Sequence, residues 1–236
     1  MSTRQPPPPV DDEALARARA YDAWFDRGWG GYAASVERAA LLDALGDIEG
    51  QRVLDIGCGT GRFTAALERA GVHATGLDAD AAALHIAATR LDGPLVHADA
   101  HALPFPDQAF DLAVTLTATE FLTDPTAALD EAVRVTRPAG RLLVAALNPA
   151  SPWGLAHRQR LRHPPWDQAC LHTPAELDAL TTHRGHVEAH AALYTPTALP
   201  GLRILGPALE RLGRLVPRWA AFQIRVIDLP TSEEAP

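Results

Sequence analysis

Lysine is absent from the sequence, so all 21 basic residues are arginine. That absence excludes Schiff-base chemistry, pyridoxal-phosphate attachment and a P-loop lysine. Cysteine is nearly absent: Cys58 and Cys170 are the two present, too few for a disulfide framework in a chain of 236 residues. No run of about 18 apolar residues occurs, so no segment is expected to span a membrane. The opening stretch MSTRQPPPPV lacks the apolar core of a secretory signal, and a cytoplasmic location is the expectation. Positive charge is in deficit, with a formal net charge of −8. A nucleic-acid backbone is thereby excluded as the main partner, because phosphate binding needs a cationic footprint. No basic amphipathic helix is read, so no stable membrane association is expected. The sequence says nothing about oligomeric state.

What is present fits one globular domain, with 47% hydrophobic and 21% charged residues. Residues 1–10 read as a disordered proline-rich tail and 11–46 as an N-terminal helical lid. The first lid helix runs from Asp11 to about Phe25, with Asp11, Asp12 and Glu13 suited to a helix N-terminus. Gly28, Gly30 and Gly31 break it and offer a hinge, and a second helix covers Tyr32 to Leu45. Residues 47–236 read as the main domain, with a loop-rich, substrate-side insertion at 148–170. Strands are expected at Arg52–Ile56, Val72–Leu77, Leu95–Ala98, Phe110–Leu116 and Arg141–Leu147, with helices between them. This alternation is the mark of a parallel, doubly wound sheet. Thr173-Pro174-Ala175-Glu176 forms a capping box, and two more strands, His186–Tyr194 and Ala220–Ile227, flank a helix at Gly201–Leu215.

The chemistry concentrates in Val53–Gly61, VLDIGCGTG. A buried strand delivers Asp55 to its C-terminal edge. Gly57, Gly59 and Gly61 then permit a tight turn that leaves room for a ligand, with helix amides beyond it. A dinucleotide loop needs its third glycine one position later, where this chain has Arg62. An acid at Asp55 would also repel a pyrophosphate. Both departures favour a ligand without phosphates and with a cationic end. Asp78 ends the second strand and suits a ribose hydroxyl pair, while Asp80 suits the helix cap that follows. After the third strand, Asp99 and the Ala100 amide suit an adenine edge.

Together these stretches resemble the class I S-adenosylmethionine-dependent methyltransferases, and most closely the bacterial subgroup related to the ubiquinone/menaquinone C-methyltransferases. The likeness covers Val53 to Asn148 and extends to Tyr21-Asp22-Ala23-Trp24-Phe25. It implies an α/β, Rossmann-like, doubly wound seven-stranded sheet whose last strand is antiparallel, under an N-terminal helical cap. It implies S-adenosyl-L-methionine as cofactor, held by Tyr21, Asp55, Gly57, Cys58, Gly59, Gly61, Asp78, Ala79, Asp99, Ala100, His101 and Thr115. Methyl transfer to a small-molecule acceptor is the implied reaction. A dinucleotide oxidoreductase, or a cofactor-binding protein without transfer activity, remains the alternative.

The acceptor is expected near Trp24, Thr119, Glu120 and Trp153, on the segments least like the family. Many relatives carry a histidine pair after the fourth strand, where this chain has Thr117-Ala118-Thr119-Glu120-Phe121. Glu120 and His101 are the candidate general bases, with His157 behind them. No metal site is expected: Gly185 separates His183 from His186 and His190, and the spacing of Cys170 and His172 matches no zinc pattern. Arg158, Arg160 and Arg162 read as a solvated lid face flanked by Trp153 and Trp166. Cys58 reads as loop filler, not as a nucleophile.

Overall fold

A computed structural model describes residues 7–159, 166–195 and 202–233. Residues 1–6 of the expected tail, Arg160 and Arg162 lie outside the described residues, as does the Trp166 side chain. The chain runs α1 (Asp12–Trp24), α2 (Gly28–Leu45), β1 (Arg52–Ile56), α3 (Arg62–Arg69), β2 (His73–Asp78), α4 (Ala81–Ala87), β3 (Leu95–His97) and β4 (Phe110–Leu116). It continues with α5 (Pro125–Val135), β5 (Thr136–Leu147), α6 (Pro152–His157), α7 (Pro174–Thr181), β6 (His186–Ala192), α8 (Leu202–Gly213) and β7 (Phe222–Asp228).

The seven strands order as β3-β2-β1-β4-β5-β7-β6. Pairings among β1 to β5 are parallel, and β7 inserts antiparallel between β5 and β6. Strand order reverses between β1 and β4, which opens a crevice at the carboxyl ends of those strands. Alternation along each strand divides the core. Val53, Leu112, Val114, Leu143 and Ala145 face α2, where they meet Ala33, Leu41 and Leu45. Leu54, Ala113, Leu142 and Val144 face Ala128 and Leu129 of α5 and Leu177 of α7. Period-two patterning thus lets five short apolar strands bury both sheet faces.

Local signals account for most helix starts. Asp11 caps α1, Asp80 caps α4, and Asp124 caps α5 with Pro125 following. The capping box at Thr173 and Glu176 is formed at α7. Helix α6 was not anticipated; Ser151 accepts from the Gly154 amide and Pro152 opens it, a cap signal hidden inside a loop-like composition. Strand β5 begins at Thr136, ahead of the expected Arg141, because Thr136 pairs with Phe110 across an irregularity in register.

Two expectations are corrected. Helix α2 starts at Gly28, not at Tyr32, so Gly30 and Gly31 lie within its first turns instead of forming a break. A Cβ on Gly30 would stand 2.2 Å from the Trp24 carbonyl oxygen and 2.8 Å from the Trp24 ring. The glycine is there for close approach of α1 to α2, not for hinge freedom. Second, α8 is amphipathic and basic. It exposes Leu205 and Leu212, with Leu215 just beyond, beside Arg211 and Arg214. Glu210 anchors its other face to the Leu193 and Tyr194 amides. The expectation against stable membrane association loses the support drawn from lacking such a helix. No helix among the described residues is long and apolar enough to cross a membrane.

Gly30→Ala is expected to push α1 off the corner while the sheet stays intact. Proteolytic cleavage between Trp24 and Gly28 should accelerate severalfold, with little change in the main thermal transition; unchanged cleavage would mean that the corner tolerates a side chain.

Candidate functional site

The crevice is floored by the loop after β1. Gly57, Gly59 and Gly61 all adopt positive φ, at 75°, 53° and 76°. Gly57 packs directly under Ala118, whose Cβ would lie 2.4 Å from an added Cβ. At Gly59 an added Cβ would meet nothing within 4 Å, so the loop there borders open space. The Asp78 carboxylate fixes this arrangement. Its Oδ2 accepts from the Gly59 amide at 2.7 Å and its Oδ1 from the Asp80 amide at 2.8 Å. Burial pushes the Asp78 carboxyl upward, against the lowering effect of those amides. Asp80 accepts from the Ala82 amide as the helix cap. Asp80 is therefore the cap that the sequence indicates, and Asp78 keeps lone pairs for two further donors.

Asp55 is buried beneath the loop. Its Oδ2 accepts from the Thr64 hydroxyl at 2.6 Å, and its Oδ1 has no partner. Burial raises its carboxyl to about 7, the Thr64 bond opposes this, and the charge of Asp78 adds to it. Thr115, at the end of β4, also has an unpartnered, buried hydroxyl. Orphaned polar atoms of this kind are rare in folded chains. An acidic crevice with an open glycine loop and an orphan carboxylate oxygen fits a ligand bearing an ammonium group and a ribose. Cys58 packs against Gly76, and burial raises its thiol pKa well above the usual range, which disfavours the thiolate.

On the third strand's loop, Asp99 Oδ1 accepts from the His101 amide at 2.9 Å and contacts His101 Nδ1 at 2.6 Å. His101 Nε2 in turn meets the Asp124 amide at 3.2 Å. Both ring nitrogens are engaged, tying this loop to the start of α5. Ala100 is buried beside them and Ala79 is exposed at the β2 end.

Helix α1 closes over the loop. Asp22 accepts from Thr60 Oγ1 at 2.6 Å, Arg62 Nε at 2.7 Å and Arg90 Nη2 at 2.9 Å. Burial alone would raise the Asp22 carboxyl, but these donors outweigh it and hold the group well below the usual range. The Arg62 guanidinium also stacks 5.4 Å from the Phe25 ring centroid and pairs with Asp26. Tyr21 and Trp24 remain 39% and 40% exposed. Burial of the hydroxyl raises the Tyr21 pKa, and Glu37, Glu120, Asp78 and Asp22 add to the rise.

The segment expected to face the acceptor follows β4. Thr117 holds a positive φ of 52°, uncommon for a β-branched residue, and directs the chain into a short turn at Thr119–Phe121. Thr119 and Glu120 are buried. Glu120 Oε1 accepts from the Leu147 amide at 2.8 Å, and Oε2 accepts from Thr119 Oγ1 at 3.1 Å. Burial pushes the Glu120 carboxyl up to about 7. The Cys170 amide donates to the Glu120 carbonyl, bringing the insertion against this turn. Trp153 stacks on His157 and packs against the α2-side core, and the His157 Nδ1 contacts the Trp153 carbonyl. No metal-binding group of three or more ligands exists among the described residues.

Sequence reasoning missed Glu37. It is 7% exposed on the inward face of α2, and burial raises its carboxyl to about 7, with Glu120 adding to the rise. The available signal was an acid one helical turn from both Ala33 and Leu41, on a face otherwise apolar.

These buried acids give stability a definite pH dependence. Glu37 and Glu120 have folded values near 7 against about 4.5 unfolded, so they hold protons in the folded state that the unfolded chain has released. Stability is then lost as pH rises from about 4.5 to 7, by at most roughly 3 kcal/mol per group. Asp55 and Asp78 act in the same direction, and Asp22 in the opposite one. Glu37→Gln cannot ionise and is expected to melt several degrees above the parent at pH 8 while converging with it near pH 4.5. Parallel melting curves across that range would remove Glu37 from the buried, charged set.

A methyltransferase domain family model matches residues 54–144. A demethylmenaquinone methyltransferase of Clavibacter sepedonicus is 36% identical over 111 residues, 45% of this chain and 45% of that relative. The match therefore spans less than half of that curated relative's length. An uncharacterized methyltransferase of Mycolicibacterium gilvum is 31% identical over 183 residues, 74% of this chain and 69% of the relative. A crystal structure of a SAM-dependent methyltransferase from Thermotoga maritima shares the fold, with a TM-score of 0.72 at 23% identity over 90% of this chain and 96% of that one. Alignment across more than two thirds of a methyltransferase, on the seven-stranded sheet described above, means that the chain belongs to the class I S-adenosylmethionine-dependent methyltransferase family.

Proposed function

We propose that the protein binds S-adenosyl-L-methionine in the crevice between β1 and β4 and transfers its methyl group to a small-molecule acceptor by in-line displacement. The observation that carries this reading is the Asp78 carboxylate, clamped to the Gly59 amide and bordering the open side of the glycine loop. Asp78 would take the ribose hydroxyls, with Ala79 beside it. Asp99, Ala100 and His101 would line the adenine. Asp55, Gly57, Cys58, Gly61 and the Thr115 end of β4 would surround the amino-acid end, and Tyr21 would cover it from α1. The engagement of both His101 ring nitrogens favours a positioning role for it over proton transfer.

When bound, the cofactor supplies an electrophilic methyl group on a sulfonium, so orientation provides much of the rate. Tyr21 and Trp24 present aromatic faces, which attract cations and exclude water. Thr119, Glu120, Trp24 and Trp153 line the acceptor side. Glu120, buried and raised toward neutrality, is suited to take a proton from an acceptor near pH 7. The name of the Clavibacter relative keeps a quinone-like carbon acceptor among the candidates.

Calorimetry with S-adenosylhomocysteine tests the cofactor site. Asp78→Ala removes a charged acceptor worth roughly 1.5–3 kcal/mol, a tenfold to hundredfold loss of affinity. Gly59→Val is expected to abolish binding in a folded protein, since it fills ligand space and resists positive φ. Parent-like affinity in either variant would move the cofactor site elsewhere.

A further inference from the structure

Glu37 and Glu120 come from distant parts of the chain to one place. Glu37 sits on the α2 face whose neighbours Ala33 and Leu41 pack in one cluster with Leu116, Leu147 and Phe222. Glu120 reaches the same region, where its Oε1 takes the Leu147 amide. The two carboxylates therefore converge over the carboxyl ends of β4 and β5, and the Tyr21 hydroxyl lies within electrostatic reach of both.

Among the described residues no cation serves them. Lysine is absent. Arg62 and Arg90 are engaged by Asp22, Arg225 by Asp178, and Arg141 by the Leu45 carbonyl. Among the described residues no arginine lowers either carboxyl, and the Glu37 side chain has no hydrogen-bond partner although it is more than nine-tenths buried. Ionising two acids buried together without a counter-charge is costly, which is why both carboxyls hold their protons toward neutrality. A neutral acceptor would leave that cost in place, and an anionic one would add to it. A cation seated between them would relieve it.

We propose that Glu37 and Glu120 form the recognition site for a positively charged amine, so that the methyl acceptor is nitrogen; this rests on the methyl-transfer reading above. The amine enters as an ammonium ion, held between the carboxylates and against the Tyr21 and Trp24 rings. One carboxylate takes an N–H proton, which frees the nitrogen lone pair, and the other keeps its charge beside it. The C–N bond then forms as the carbon–sulfur bond breaks and its electron pair stays on sulfur. The methylated product is again an ammonium and leaves with the charge it brought, or passes a proton to the second carboxylate. Carboxyls that titrate near neutrality are suited to this exchange.

The test is calorimetry on protein saturated with S-adenosylhomocysteine, titrated with ethanolamine, phenethylamine and cadaverine beside ethylene glycol, 2-phenylethanol and pentane-1,5-diol. At least one amine is expected to bind at least tenfold tighter than its alcohol. Glu37→Gln and Glu120→Gln should each weaken that amine tenfold or more while changing S-adenosylhomocysteine affinity less than twofold, which also shows that the variants fold. With the methyl donor present, each variant should raise KM for the amine and lose the parent's rise in kcat/KM near pH 7. Amines binding no better than alcohols, no amine binding, or amine affinity indifferent to both variants would each overturn the inference while leaving the cofactor site standing. Failure of S-adenosylhomocysteine to bind the parent would instead overturn the methyl-transfer reading, and this inference with it.

Discussion

The site depends on one carboxylate. Asp22 gathers Thr60 from the glycine loop, Arg62 from the start of α3 and Arg90 from beyond α4. Helix α1 has little apolar packing of its own, with Ala18 as its one buried residue. Its position over the loop is therefore set by charge-assisted hydrogen bonds to a half-buried acid, which are stronger than neutral ones. Tyr21 and Trp24 stand on either side of Asp22 in sequence, so the bonds that hold the helix also fix where the two rings sit.

Around that anchor the acids fall into two kinds. Asp22, Asp111 and Asp178 have arginine partners and knit surface elements together. Among the described residues Asp55, Asp78, Glu37 and Glu120 have hydroxyls, amides or nothing as partners. A fold retains uncompensated buried carboxylates at a cost in stability, and such groups cluster where a ligand completes them. These acids come from the end of β2, the end of β1, the turn beyond β4 and the inward face of α2.

Much of this was legible in the residues. Strand positions followed from short apolar runs between glycines, and the seven-stranded sheet with its antiparallel last strand followed from the family likeness. The division of labour between Asp78 and Asp80 could be read because a helix cap has a fixed offset from its helix. The Asp22 network was not legible, since its partners lie far along the chain and each looked like a surface charge. Glu37 escaped because a single acid on an apolar helix face looks like an ordinary interruption until its tertiary neighbours are known. Gly30 misled for a related reason: glycine reads as a helix breaker when its real role is to admit the Trp24 carbonyl. Local rules report capping and periodicity well; they are silent about which side chains meet across the fold.

The lysine-free composition has a last consequence. Every cation in the Asp22 anchor is a guanidinium, which keeps its charge at any physiological pH, and its carboxylate is held far below neutrality. The anchor is therefore insensitive to acidity between weak acid and weak base. Glu37, Glu120 and Asp55 change charge in just that interval. Contour and electric potential of the crevice are thus governed by separate groups, so a shift in ambient acidity would retune what the cavity attracts without moving its walls.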